Sequence, residues 1–355
     1  MRWDIFCRVI DNYGDAGVCW RLAADLAQRG EQVSLWIDDL RLIDQLTPAQ
    51  GRAPVAVHPW QAAEDRFESD DIADVVIEAF ACDPPAAYIT AMAERAQTGK
   101  APVWINLEYL SAEDWVGAHH KLPSPHPRYP LTKYFYFPGF TSESGGLLRE
   151  PGLLASDVPT EPSPQSLHEP LRIFLFSYAQ PALSDWIAAL THTVLDVAPC
   201  PAAQQLGHDN ITAPSGVSIR HTPFVPQSEF DSLLQAHDLL FVRGEDSFVR
   251  AQWAGKPVFW QIYPQDDDAH LVKLRAFYAR YLASEHLDSQ QRDVVMNFLL
   301  AWNGAAPPAE CARLWPEIVR LLPALIRNAQ AWRQTLLQQP DLVTQLREFV
   351  GNLVK

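Results

Sequence analysis

The segment Asp11-Asn-Tyr-Gly-Asp-Ala-Gly-Val-Cys-Trp20 joins two stretches of different periodicity, and this change decides the fold. The stretch before it, Trp3–Ile10, is short and rich in β-forming residues, which predicts a strand. The stretch after it, Val18–Arg29, has the apolar spacing of a helix and stops at Gly30. A strand, a glycine-containing loop and a helix, in this order, predict the first unit of an α/β domain with a parallel sheet.

The same segment carries two carboxylates, Asp11 and Asp15, directly after the predicted strand. Gly14 and Gly17 allow the backbone to turn sharply, so we expect both carboxylates to point into a cleft above the strand end. There they would suit general-base chemistry or the capture of a cation. The simpler alternative is that Asp15 caps the following helix. The segment lacks the third glycine of the G-x-G-x-x-G fingerprint, which argues against a dinucleotide site.

Strand and helix signals continue to alternate along the first half of the chain. The predicted strands are Gln32–Ile37, Val55–His58, Asp74–Ala79 and Val103–Leu107, with a helix at Ala87–Gln97. The residues from Phe137 to Pro170 are dominated by Pro, Gly and Ser, which predicts a functional loop followed by an interdomain connector.

A second α/β series follows the connector. It comprises strands at Leu171–Tyr178, Val217–His221, Asp238–Arg243 and Pro257–Tyr263, and helices at Ser184–Val197 (capped by Ser184), Ser228–Ala236, Ser247–Ala254, Ala269–Leu282, Ser289–Trp302, Ala309–Asn328 and Leu342–Leu353. We therefore predict two Rossmann-like domains, at 1–152 and 171–339, joined by a linker at 153–170. The C-terminal helix within 340–355 is a candidate to cross back to the first domain.

The composition excludes several classes of protein. With 28 Lys and Arg against 43 Asp and Glu, the formal net charge is −15. This argues against a nucleic-acid partner, because phosphate backbones are bound by clustered basic residues. The five cysteines are dispersed without a C-x-x-C pair, which favours reduced thiols. No apolar stretch reaches the roughly 20 residues that span a bilayer, and the N-terminus does not have the pattern of a signal peptide, so we expect a cytoplasmic protein.

The stretch Asp238–Pro257 predicts an anion site in the second domain. Its apolar strand ends at Arg243, Gly244 permits a tight turn, and Asp246 or Ser247 is positioned to cap a helix. The N–H groups and positive dipole end of that helix attract anions, and Arg243 can hold a diphosphate through two hydrogen bonds. Glu245 lies beside this site, where an acid needs a sugar hydroxyl or a cation to hold it. The alternative is an ordinary strand–turn–helix.

Aromatic and polar residues at neighbouring strand ends predict a pocket for a nucleotide base. Phe176 and Tyr178 end the first strand of this domain, and Phe224, Gln227 and Phe230 lie in the loop before the next helix. Parallel sheets bind ligands at the carboxyl ends of their strands, so these groups should converge. Any one of the phenylalanines could equally well belong to the core.

Two acidic or histidine-rich patterns do not predict a metal site. Asp266-Asp267-Asp268 precedes a helix, where acids favour the helix dipole. His119-His120 lies in a Pro-rich loop without spaced carboxylate or cysteine partners. The sequence also contains no P-loop, G-x-S-x-G or H-E-x-x-H motif. We expect no metal and no cofactor.

Several long motifs together resemble the elongation factor P arginine rhamnosyltransferases, the EarP family. The matching stretches are Asp4–Ala23, Ile105–Glu113, Phe137–Thr141, Gly145–Glu150, Arg243–Phe248, Gln261–Gln265 and Ala269–Lys273. The resemblance runs along nearly the whole chain. It implies a GT-B fold, in which two Rossmann-like domains face each other across a cleft, and an inverting transfer from dTDP-β-L-rhamnose to one arginine of elongation factor P (EF-P).

The resemblance also implies roles for individual residues. Asp11, Asp15 and Glu245 match the essential acids of the family, with Asp15 as the general base. The nucleotide-site pattern falls on Phe176, Tyr178, Phe224, Gln227, Phe230, Arg243, Asp246, Ser247 and Gln261. The family pattern assigns dTDP to the second domain and the protein acceptor to the first.

Three other functions fit parts of the pattern. A GT-B transferase acting on a small molecule or a glycan would have the same nucleotide pocket. A non-catalytic nucleotide-sugar or protein-binding module would leave the acid pair Asp11 and Asp15 unexplained. A Rossmann-type dehydrogenase would place a dinucleotide in the first domain.

Overall fold

A computed structural model describes residues 1–11, 13–48, 52–64, 67–153, 169–265 and 267–354. The chain divides into two compact units, Met1–Gly152 with Gln339–Lys355, and Leu153–Gln338. Each unit is Rossmann-like, because it contains a sheet whose strands alternate with helices along the chain. The predicted linker lies largely at 154–168, outside the described residues.

The first unit contains a seven-stranded sheet. Its elements are β1 Arg2–Cys7, α1 Tyr13–Gln28, β2 Gln32–Ile37, α2 Leu40–Leu46, β3 Val55–Pro59, β4 Val75–Ala79, α3 Ala86–Gln97, β5 Val103–Leu107, α4 Val116–His119, β6 Pro123–Pro125 and β7 Thr132–Tyr136, with a 3-10 helix at Trp60–Ala63. The strand order is β3-β2-β1-β4-β5-β7-β6, and among the described strands only β6 and β7 pair antiparallel. The chain therefore adds β2 and β3 on one side of β1 and then crosses back to add β4 and the later strands on the other side.

The second unit contains a five-stranded parallel sheet of order β10-β9-β8-β11-β12. Its elements are β8 Leu171–Leu175, α5 Leu183–Ala188, β9 Thr193–Val197, α6 Pro201–His208, β10 Val217–His221, α7 Gln227–Gln235, β11 Leu239–Arg243, α8 Asp246–Ala254, β12 Val258–Gln261, α9 Ala269–Tyr281, α10 Ser289–Trp302 and α11 Ala309–Leu337. The last helix, α12 Leu342–Leu353, packs on the first unit, where Leu342 donates its N–H to the carbonyl of Leu147 at 2.9 Å.

Aromatic side chains fill the two cores. In the first unit Phe6 stacks on Trp36 and meets Tyr88 edge-on, with ring centroids 5.9 and 4.7 Å apart. In the second unit the rings of Phe241 and Trp186 lie 4.7 Å apart at the centre of the sheet. Each fully buried aromatic side chain contributes about 1.5–3 kcal/mol through removal of its apolar area from water.

Two predicted helices in the second unit are wrong in extent. The segment Ser184–Val197 is not one helix: α5 ends at Ala188, and the β-branched run Thr193–Val197 forms β9. The turn between them contains His192, whose φ of 44° ends any helical path. Ser184 lies inside α5 and is not its cap, which is Ala182. The helix predicted to end at Asn328 instead continues to Leu337.

Candidate active site

Asp15 lies in the first turn of α1, at the carboxyl end of β1. The prediction of a glycine-containing loop before Val18 is wrong, because α1 already begins at Tyr13 and includes both Gly14 and Gly17. The turn is closed by the Asp15 carboxylate, whose Oδ2 accepts the backbone N–H groups of Ile10 (2.7 Å) and Asp11 (2.9 Å). The carboxylate therefore binds the chain before the helix, which is the geometry of a helix-initiating acid.

Burial makes the Asp15 carboxylate more basic than an ordinary aspartate. The residue is 3% exposed. Loss of solvation raises its pKa, and the nearby charge of Asp38 raises it further, while the N–H groups of Asp11 and Ile10 lower it without cancelling the effect of burial. Among the described residues, no hydrogen bond is made by the other carboxylate oxygen, Oδ1. Oδ2 of this buried, more basic carboxylate is therefore fixed by two hydrogen bonds, whereas Oδ1 keeps its capacity to accept another.

Gly14 allows Asp11 to pack closely over the same turn. The N–H of Gly14 donates to the Asp11 carbonyl at 2.7 Å, and a Cβ at position 14 would lie 3.0 Å from Asp11 Oδ2. The glycine therefore provides space for the carboxylate rather than a hinge for the backbone. As a result, both acids that the sequence singled out lie at one end of α1.

A pocket that the sequence did not indicate lies at the same edge of this sheet. It has a volume of about 860 Å³ and is formed by the segments that follow β1, β2 and β4, together with Trp60. Its rim includes Phe80, Ala81 and Asp83, which all have positive φ (58°, 54° and 47°) although none is a glycine. Phe80 and Ala81 carry no composition signal for this conformation, since the left-handed region is occupied mainly by glycine and, among other residues, by Asn, Asp and His.

In the second unit, Arg243 ends β11 and lies against two aromatic rings from the end of β8. Its guanidinium carbon is 5.0 Å from the ring centroid of Phe176 and 4.5 Å from that of Tyr178. Cation–π contacts of this kind contribute about 0.5–1 kcal/mol each at partly exposed sites. The rings therefore hold the guanidinium at the carboxyl edge of the sheet, where an anion would meet it.

Gln261 ties the loop after β8 to the end of β12. Its side-chain Oε1 accepts the N–H of Tyr178 at 2.8 Å and also the hydroxyl of Ser177. Because Gln261 is only 7% exposed, these bonds form in a protected environment. Gln261 thus fixes the backbone that carries Tyr178, one of the two rings against Arg243.

The start of α8 differs from the predicted cap. Glu245 is the N-cap residue and makes no side-chain capping bond, so neither Asp246 nor Ser247 caps the helix as expected. Instead Asp246 accepts a hydrogen bond from Gln227 Nε2 at 3.0 Å, and the Ser247 hydroxyl donates to the Arg243 carbonyl. The first N–H groups of α8 have no acceptor one turn earlier in the helix, which is the condition for an anion site.

The turn before α8 and the end of the helix are as predicted. Gly244 has a φ of 64°, and α8 closes at Gly255 in the left-handed conformation, with a φ of 63°. The two glycines fix the length of the helix and its start beside Arg243.

The phenylalanines predicted for the base pocket divide into two groups. Phe230 lies edge-on to Phe176, with centroids 6.0 Å apart, so it belongs to the cluster around Arg243. Phe224 lies in the loop between β10 and α7 and is 45% exposed. The structure therefore brings Phe176, Tyr178, Phe230, Arg243 and Gln261 together, and it links Gln227 to Asp246.

Neither of the remaining acidic and histidine patterns forms a metal centre in the described ranges, where no group of three or more His, Cys, Asp or Glu side chains is suitably arranged. Asp266 of the acidic triplet lies outside the described residues. His120, which is half-buried, accepts the N–H of Phe137 through Nδ1 at 3.2 Å, and desolvation lowers its pKa to about 4. No described helix is both long and apolar enough to cross a membrane.

The sequence matches the family described as elongation factor P (EF-P) rhamnosyltransferase EarP over residues 3–351. The chain belongs to the EarP family. A protein-arginine rhamnosyltransferase of Pseudomonas putida is 41% identical, over 99% of this chain and 98% of its own length. Another, from Neisseria meningitidis serogroup B, is 35% identical over 98% and 96%. The predicted enzyme class, a glycosyltransferase of the protein-arginine rhamnosyltransferase type, is confirmed by this membership.

Solved structures confirm the predicted GT-B fold. An EarP structure, from work on EarP-mediated arginine glycosylation of translation elongation factor EF-P, matches 99% of both chains with a TM-score of 0.66 and 30% identity. Glycosyltransferase VinC, solved in complex with dTDP, matches 99% of both chains with a TM-score of 0.55 at 14% identity. The MurG of Acinetobacter baumannii has a TM-score of 0.56 at 11% identity over 99% of both chains. At such identities VinC and MurG support the fold alone.

Proposed function

We propose that this EarP family member transfers L-rhamnose from dTDP-β-L-rhamnose to an arginine side chain of EF-P, with inversion at the sugar carbon. The observation that carries the proposal is the family match over residues 3–351, which includes Asp11, Asp15 and the start of α8. The relative solved for EarP-mediated glycosylation of EF-P, at 30% identity, supports the acceptor. The guanidinium of Arg243 beside the start of α8 supports a donor that carries a diphosphate.

The second unit holds the donor in this proposal. The diphosphate binds Arg243 and the N–H groups at the start of α8, since a helix start and a guanidinium both stabilise negative charge. The base lies against the aromatic cluster of Phe176, Tyr178 and Phe230, and Phe224 adds an exposed ring at its edge. Glu245, next to the anion site, accepts a hydrogen bond from a sugar hydroxyl.

The first unit holds the acceptor arginine. A guanidinium has a pKa above about 12 and is delocalised, so no carboxylate removes its proton in advance. Asp11 and Asp15 hold the group in one orientation, and Asp15 accepts the proton while the new bond forms. Fixed orientation contributes several kcal/mol, and a positioned base contributes about 10²–10⁴-fold in rate.

The bond changes balance without another reactant. The guanidinium nitrogen attacks the anomeric carbon and forms the N–C bond, while the bond from that carbon to the diphosphate oxygen breaks. The oxygen retains the electron pair, and its developing charge is stabilised by Arg243 and the helix start. The nitrogen proton passes to Asp15. The products are glycosylated arginine, dTDP and a protonated carboxyl that returns its proton to water.

Incubation of the purified chain with EF-P and dTDP-β-L-rhamnose tests the proposal. We expect EF-P to gain the mass of one deoxyhexose, located on an arginine by fragmentation, and EF-P with that arginine replaced by lysine should gain nothing. Turnover of the donor without modification of EF-P would instead indicate a small-molecule or glycan acceptor. Because the proposed acceptor is a translation factor, we also place the reaction in the cytoplasm.

A further inference from the structure

The 860 Å³ pocket of the first unit lies between β1 and β4, where the order in which the chain adds strands to the sheet reverses. Open α/β sheets bind ligands at this point, beyond the carboxyl ends of their strands. The pocket adjoins the acceptor acids directly, because its lining residue Ile10 donates the N–H that Asp15 Oδ2 accepts. Its volume greatly exceeds the space of one arginine side chain, so a longer part of the acceptor fits there.

Part of the rim of this pocket is held in a strained conformation by contacts from β5 and the loop that follows it. Phe80 donates its N–H to the Leu107 carbonyl at 2.7 Å and stacks on Tyr109, with centroids 4.3 Å apart. Ala81 donates its N–H to Asn106 Oδ1 at 3.1 Å. Non-glycine residues with positive φ persist where surrounding structure fixes them. The rim therefore has a fixed shape before any ligand arrives.

The lining of the pocket is acidic. It carries the carboxylates of Asp38, Glu64 and Asp83 and one guanidinium, that of Arg8. Arg8 lies 4.6 Å from the ring centroid of Trp60. Lys133 is closer to buried Glu78 (2.6 Å) than to Asp83 (3.7 Å), so it neutralises the exposed Asp83 only in part. A negative lining repels a diphosphate and attracts a cation.

A peptide segment with a basic side chain supplies the cation that this acidic lining attracts. Its backbone and the apolar stem of the basic side chain can occupy the part of the volume that one arginine side chain does not fill.

We propose that this pocket binds a segment of the protein acceptor outside the modified arginine and selects a second basic side chain on it through Glu64 and Asp83. The inference rests on the proposed function, because it assumes a protein acceptor at Asp11 and Asp15. It assigns the pocket to recognition of the acceptor and not to the chemical step.

The double variant Glu64→Gln/Asp83→Asn removes the two charges with little change in shape. Asparagine tolerates the left-handed backbone that Asp83 adopts. Since one exposed ion pair changes affinity by up to about fivefold, we expect the KM for EF-P to rise about five- to twentyfold. The KM for dTDP-rhamnose and the kcat at saturating EF-P should stay unchanged. Glu94→Gln, an exposed acid farther along α3, is the matched control and should leave every constant unchanged.

A steric variant tests the same pocket without a change in charge. Ala86 lines the pocket at the exposed first residue of α3, so Ala86→Trp fills the space and leaves the core intact. We expect it also to raise the KM for EF-P by about tenfold or more, since filling a pocket excludes its ligand. An acceptor KM within twofold of the wild type in both variants would overturn the inference.

A double-mutant cycle identifies the cation. Each Lys and Arg of EF-P other than the modified arginine is replaced by alanine and assayed with the wild-type chain and with Glu64→Gln/Asp83→Asn. At least one replacement should raise KM with the wild type and have no further effect with the double variant. If all effects are additive, the pocket binds no basic side chain and the inference is wrong. If the wild type does not modify EF-P at all, the proposed function fails and this inference fails with it, which the wild-type assay alone reveals.

Discussion

Replacing Asp15 with asparagine separates the chemical role of this carboxylate from its structural role. Asp15 Oδ2 accepts two backbone N–H groups, at 2.7 and 2.9 Å, and the amide oxygen of asparagine can accept both. The first turn of α1 should therefore survive, whereas the base is lost. Because a positioned base contributes about 10²–10⁴-fold, we expect kcat to fall by that factor, or about 3–5 kcal/mol of transition-state stabilisation.

The free energy of unfolding of Asp15→Asn should not fall with kcat at neutral pH. Burial raises the pKa of Asp15, so the folded chain binds the proton more tightly than the unfolded chain does. That contribution is fully present below the unfolded pKa, near 4, and is lost as pH rises through the higher folded-state pKa. Asparagine does not titrate, so above the folded-state pKa of Asp15 we expect Asp15→Asn to be at least as stable as the wild type. As pH falls, the difference should shift towards the wild type.

Two assays and two further variants distinguish the catalytic role of Asp15 from its structural role. Urea unfolding at pH 7 and pH 5 gives the stabilities, and mass spectrometry of EF-P gives kcat. Asp15→Ala removes the oxygen that accepts both N–H groups and should lose about 1–3 kcal/mol of stability in addition to activity. Asp44→Asn, whose carboxylate is 73% exposed on α2, is the control. Near wild-type kcat in Asp15→Asn would refute the base assignment, and equal destabilisation of both Asp15 variants would refute the structural argument.

Three other predictions follow from single contacts. Arg243→Ala should weaken dTDP binding by about 2–4 kcal/mol, measured by calorimetry, because the guanidinium is proposed to bind the diphosphate. Asn106→Ala should lower the free energy of unfolding in urea by about 1–3 kcal/mol, since the N–H of Ala81 loses its acceptor. His120 has a folded-state pKa lowered to about 4, so its stabilising contribution is present above pH 6.5 and is lost as pH falls through 4. His120→Gln, which keeps an acceptor for the Phe137 N–H, should remove about 1–3 kcal/mol of that pH dependence in unfolding experiments, because solvent screening reduces the full effect of the shift at a half-buried site.

Most of the residues around Arg243 in the second unit could be predicted from the sequence, because the ends of the strands can be located there. Strands at Val217–His221 and Leu239–Arg243 are bounded by turn residues, and the carboxyl ends of parallel strands meet at one edge. Side chains that end such strands, such as Arg243, or directly follow them, such as Phe176, are therefore predicted to converge from the strand boundaries alone. Their contact, with the guanidinium against the ring, depends on rotamers that periodicity does not encode.

The errors occur where neighbouring signals conflict. The apolar residues of α5 run into those of β9 without a Gly or Pro between them, so one long helix fits their spacing as well as a helix and a strand do. A glycine near the start of a helix is easily taken for part of a loop, which is why the sequence predicts a loop before Val18. Gly14 instead lies in α1 and provides space for Asp11. The left-handed conformation of Phe80 and Ala81 has no local signal, because contacts from β5 and the loop after it impose this conformation.

The geometry of Asp15 indicates how a weak base can serve an acceptor as inert as arginine. Even with its raised pKa, an aspartate remains several units below a guanidinium, so proton removal before attack contributes nothing. In the proposed reaction the rate enhancement must therefore come from the fixed orientation of the carboxylate. Two N–H groups hold Oδ2, so that Oδ1 is proposed to face the acceptor. In the proposed reaction a nitrogen lone pair becomes available only as the N–C bond forms, so the carboxylate must already lie on the path of the proton. A rigid turn supplies this more effectively than a stronger base on a mobile loop.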